Sequence, residues 1–95
     1  MKSIEILVPE VLERVLQECQ VKVEKPLNAE IYGPNGCLSS LNTILLVVEI
    51  EKEISENYGV AINLLNEQSF EFSKSPFKNV DSIIEHVKHV MAKAQ

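Results

Sequence analysis

Clustered basic residues, long apolar runs and paired cysteines are all missing from this chain, and each absence excludes a class of function. Arginine occurs once, at Arg14, and the lysines are scattered. Nucleic-acid binding relies on clustered Lys and Arg set against phosphates, so a formal net charge of −5 argues against a nucleic-acid partner and towards basic proteins. No apolar run approaches the roughly 18 residues of a membrane span. The opening stretch MKSIEILVPEVLERVLQE has acids inside its apolar part, where a secretory signal would have a clean apolar centre. A cytoplasmic protein without membrane association is expected. Cys19 and Cys37 are too few for a disulfide framework and have no metal-ligand spacing. Cys19 is expected in the core and Cys37 in a loop, both reduced. With three glycines and no tryptophan, the chain shows no internal repeat and no low-complexity segment.

What is present suits a single domain, 1–95, expected to be monomeric: the chain is long enough for one core, and its 45% apolar and 24% charged residues are ordinary for a soluble globule. Four segments have helical periodicity. In the first, Leu7, Val8, Val11, Leu12, Val15, Leu16 and Cys19 keep to one stripe. Proline is tolerated in a first turn, so Pro9 predicts a helix over about 8–20. The connection that follows is rich in turn residues and reads as a loop with one short turn near Asn28; its Val-Lys-Val alternation has no partner strand. A second helix is predicted over about 40–57, capped by Ser39 or Ser40 and stopped at Tyr58-Gly59. Asn66 is expected to open a short helical turn, ended by Ser75-Pro76. The last helix should start after Asn79, with Asp81 in its first turn and Val80, Ile83, Ile84, Val87, Val90 and Met91 at helical spacing. The expected fold is all-α: a small four-helix bundle of three main helices plus a short third one.

The second helix carries more apolar surface than one contact needs. Leu46, Val47, Ile50 and Ile54 have core spacing, while Leu41, Ile44, Leu45 and Val48 form a stripe at an adjoining angle. Either the helix is central and buried on two sides, or the second stripe is a docking face. Further along come Glu49, Glu51, Glu53 and Glu56, with Lys52 spaced to pair with Glu56. The helix begins with two serines, where free N–H groups and the helix dipole favour an attached phosphate. Such a serine serves as an ordinary cap or as an anchor for a phosphodiester, and chemistry alone favours the cap.

The run from Ser39 through Ser40, Leu41, Asn42, Thr43 and Ile44 resembles the Asp-Ser-Leu segment that opens the second helix of acyl carrier proteins. The likeness continues through VVEIEKEISENYGVAI and SPFKNVDSIIEHV, from about Gly33 to Val90. It implies a four-helix bundle without catalytic activity of its own. It also implies a serine that a phosphopantetheinyl transferase loads with 4′-phosphopantetheine; by position this is Ser40, which directly precedes Leu41. The arm's thiol would carry acyl groups as thioesters between ligase or synthase enzymes, in a pathway such as fatty acid or polyketide assembly. Leu41, Ile44, Leu45, Val48, Glu49, Glu51 and Glu53 are then the candidate partner-docking residues. Ser39 stands where the family has an Asp that helps to place magnesium and the serine, which implies slower loading by a general transferase. Asn42, Leu45 and Lys52 occupy positions that are often acidic in the family, which suggests dedicated partners. A peptidyl or aminoacyl carrier has the same fold, and an unmodified helical adaptor is the rival from another class.

Other candidates are weaker. His86 and His89 stand three apart on the last helix but have no further ligands nearby in sequence. Cys37 close to Ser39 and Ser40 suggests a nucleophile, yet no local motif ties a His to it. The glutamates of the second helix read as a solvated face.

Overall fold

Pro9 does not begin the first helix. In the computed structural model, which describes residues 2–94, α1 spans Ile4–Glu18 with Pro9 inside it. Proline has no N–H to give to the Glu5 carbonyl, a loss of about 3 kcal/mol in a helix interior. The turn before it persists because Ile4 and Leu7 are buried, and each such side chain contributes about 1.5–3 kcal/mol. The Glu5 side faces solvent. At its other end α1 stops in a left-handed turn at Gln20 (φ 57°). The Gln20 N–H bonds the Gln17 carbonyl at 3.1 Å and the Val21 N–H bonds the Leu16 carbonyl at 2.9 Å, the paired closure that usually uses glycine.

A single 3-10 turn at Pro26–Asn28 is the one regular piece described in the first connection. Helix α2 covers Ser40–Tyr58 and closes on Gly59, whose φ of 66° suits a residue without Cβ. Helix α3 covers Val80–Ala94. Its start is fixed reciprocally: the Ser82 N–H bonds Asn79 Oδ1 at 2.8 Å, and the Asn79 N–H bonds Ser82 Oγ at 3.1 Å.

The described residues are thus all-helical, with three α-helices and no strand. The short third helix expected near Asn66 is a chain of turns. Ser69 is fully buried, and its Oγ takes the Asn66 N–H at 2.7 Å while the Ser69 N–H bonds the Asn66 carbonyl at 3.2 Å. Asn66 and Ser69 so satisfy the backbone locally and leave no need to propagate a helix. Helix α1 packs against both α2 and α3, which make no close backbone approach to each other. Leu64 and Phe77, from the segment between them, join the same core as α1's Leu12 and Val15, α2's Ile50 and α3's Ile83. No helix is long and apolar enough to cross a membrane among the described residues.

Candidate functional site

The loop that delivers the two serines is held on both sides. On one, the Ile31 and Tyr32 N–H groups bond the carbonyls of Lys78 and Phe77 at 2.6 and 3.1 Å. On the other, the Cys37 and Leu38 N–H groups bond the carbonyls of Glu30 and Ile31 at 3.0 Å each. Residues 30–32 therefore tie the approach to α2 to the approach to α3. The reversal between them closes with the Gly36 N–H on the Gly33 carbonyl at 3.0 Å. A Cβ on Gly36 would lie 2.6 Å from both the Gly33 nitrogen and the Ile31 oxygen, so this turn requires glycine. Tyr32 adds an aromatic brace. Its hydroxyl donates to the Phe70 carbonyl at 2.9 Å, and its ring lies 5.4 Å from Phe70 and 5.2 Å from Phe72.

Ser39 and Ser40 then separate in role. Ser39 is the N-cap: its Oγ accepts the Asn42 N–H at 3.2 Å, and its carbonyl accepts both the Thr43 N–H at 2.9 Å and Thr43 Oγ1 at 2.8 Å. Ser40 is the first helical residue, exposed, and its hydroxyl has no hydrogen-bond partner among the described residues. The first turn of α2 contains no acid. An anion at Ser40 would meet the dipole's positive end without a competing carboxylate. Three residues earlier, burial pushes the Cys37 thiol up from its ordinary range, which keeps it a thiol and a poor nucleophile.

Along α2 the two apolar stripes differ in burial. Leu46, Val47, Ile50 and Ile54 are fully buried. Leu41 is 74% exposed and Val48 49%, while Ile44 and Leu45 are half-buried and Leu45 packs on the core's edge. The acids are drawn into the fold. Arg14 of α1 reaches Glu49 at 3.1 Å and Glu53 at 3.7 Å. Glu51 Oε2 accepts the Leu64 N–H at 2.8 Å. Lys52 and Glu56 are both exposed, and no ion pair joins them. These ties were missed in the sequence, although one signal was present: Glu49 and Glu53, four apart, give a lone arginine two carboxylates on one helix flank.

The histidines divide as well. His86 Nε2 lies 2.8 Å from the Leu64 carbonyl and its ring stands edge-on to Phe77 at 5.6 Å, whereas His89 is exposed. A groove of about 630 Å³ lies elsewhere, between the end of α1 and the loop after it, lined by Leu16, Gln17, Val21, Val23 and Pro26 among others. It includes no residue of α2. No family model matches this chain, and no curated protein or solved structure matches it either.

Proposed function

We propose that the chain is a carrier protein: Ser40 takes a 4′-phosphopantetheine arm, and the exposed stripe of α2 presents the arm's cargo to biosynthetic enzymes. One observation carries this reading: of two adjacent serines at the start of the longest helix, Ser39 is consumed as the cap and Ser40 is left exposed and unbonded. The residues present fit the group. Ser40 Oγ is the atom that would bear the phosphodiester, and the first-turn N–H groups would stabilise its negative charge. When bound, the arm supplies a terminal thiol for thioester-linked cargo. Leu41, beside Ser40, and Val48, two turns on, offer the apolar contact that a transferase, ligase or synthase needs at that point. An aminoacyl or peptidyl cargo fits the same residues as an acyl one.

A second reading, a helical adaptor without an arm, is favoured by Ser39 itself: no carboxylate stands beside Ser40 to help place it during loading. Intact-protein mass after incubation with coenzyme A and a broad-specificity phosphopantetheinyl transferase separates the two. A gain of one phosphopantetheine, lost in Ser40→Ala and kept in Ser39→Ala, is expected of the carrier. An unchanged mass under conditions that load a control carrier supports the adaptor.

A further inference from the structure

The outward face of α2 follows a helical stripe. Leu41, Leu45 and Val48 stand four and three residues apart, and the next place on the stripe, four further on, is Lys52. The acids lie off this stripe. Glu49 and Glu53 turn to the flank that meets α1, where one guanidinium holds both, and Glu51 is bonded to the backbone of Leu64. Of the four glutamates on this helix, Glu56 alone is exposed, and it is furthest from Ser40. A protein approaching Ser40 along α2 therefore meets apolar side chains and an ammonium, with the nearer carboxylates already occupied.

We infer that Arg14 and Lys52 are the specificity determinants of this face. They withhold α2 from partners with a basic contact surface and match it to a protein whose contact surface is apolar with a carboxylate opposite Lys52. The nature of what docks rests on the carrier reading; the charge arrangement does not. The chain's net charge of −5 attracts cations in general. At contact range, however, a basic partner must displace Arg14 from two carboxylates and approach Lys52, and screening over about 8 Å makes the local charges decisive. Exposed ion pairs of this kind alter affinity by about twofold to fivefold each.

Two measurements test the inference. In the first, a broad-specificity phosphopantetheinyl transferase with a basic acceptor-binding surface loads the wild type, Arg14→Gln, Lys52→Gln and, as control, Lys93→Gln in the last turn of α3. KM is expected to fall about twofold to fivefold in Arg14→Gln and in Lys52→Gln, with kcat unchanged and Lys93→Gln like the wild type. An unchanged KM in the first two, or an equal fall in Lys93→Gln that reports net charge alone, overturns the inference. Failure of every chain to load counts against the carrier reading instead, and the second measurement then decides. An oligolysine peptide is titrated against the unmodified proteins while the NMR signals of the α2 carboxylates are followed. Tighter binding at Glu49 and Glu53 in Arg14→Gln supports the inference, and binding equal to the wild type overturns it.

Discussion

Two serines of identical chemistry open α2, and their places relative to the first hydrogen-bonded turn distinguish them. Ser39 accepts an N–H that would otherwise lack a partner, so Ser39→Ala should lower stability by about 1 kcal/mol. Ser40→Ala removes an exposed hydroxyl without a partner and should stay within about 0.5 kcal/mol of the wild type. Chemical denaturation midpoints compare them directly. Ser39→Asp keeps a good cap and adds a carboxylate next to Ser40, so loading by a general transferase should speed up at unchanged stability. A rate that does not rise removes Ser39 as the limiting feature. Gln20 is a residue-scale strain of another kind. It holds a left-handed conformation that costs most side chains energy. Gln20→Gly should therefore stabilise the protein by about 0.5–1 kcal/mol, the relief exceeding the glycine's extra freedom when unfolded. A lower melting temperature for this variant would show that the Gln20 side chain stabilises the turn.

At the scale of elements, α2 has one fully buried stripe and one partly exposed stripe, and a pair of truncations separates them. Ile54 is fully buried, so Ile54→Ala should cost about 2–5 kcal/mol. Leu45 sits half-buried at the core's edge, so Leu45→Ala should cost well under that and weaken transferase engagement instead. Equal thermal destabilisation by both would reject the division. The core stripe was legible in the sequence because a long helix repeats its periodicity often enough to fix a face; whether the second stripe is covered was not, because that depends on what packs beside it. The bounds of α2 and the start of α3 were legible for a local reason: Ser39, Gly59 and Asn79 act on their own neighbours. The start of α1 was not, because the local signal of Pro9 is outweighed by the burial of Ile4 and Leu7, which depends on residues far along the chain. Nor were the turns at 66–72, where the apolar pattern suited a helix but Asn66 and Ser69 bond each other. Which of Ser39 and Ser40 caps α2 stayed open in the sequence, since either hydroxyl can accept a first-turn N–H. The internal capture of Glu49, Glu51 and Glu53 was not legible, since each partner comes from another element.

Across the whole molecule, side-chain ties join elements far apart in the sequence. Lys88 of α3 hydrogen-bonds Glu5 of α1 and holds its carboxyl below the usual carboxylate range. A lowered folded pKa contributes stability above the unfolded value, and that stability is lost as pH falls through the folded one. The difference in denaturation midpoint between wild type and Lys88→Gln should accordingly be present at neutral pH and vanish below the carboxylate range; a difference that persists in acid would mean that Lys88 acts through packing. The more consequential tie is at Leu64, a buried residue bonded to two helices whose backbones make no close approach to each other. Its N–H goes to Glu51 of α2 at 2.8 Å and its carbonyl lies 2.8 Å from His86 of α3, so one residue's backbone couples the two. Removing either partner leaves a half-buried backbone group unmatched, at a cost of about 1–3 kcal/mol. The segment at 60–79 has turns in place of a helix and should open before α1 does. Native-state hydrogen exchange can read this residue by residue. In Glu51→Ala the Leu64 amide should exchange much faster while Leu12 and Val15 of α1 keep their protection, and His86→Ala should loosen the same segment from the other side. If the amides of α1 lose protection in parallel with Leu64, the segment opens only with the whole core, and Leu64 is simply one more core residue.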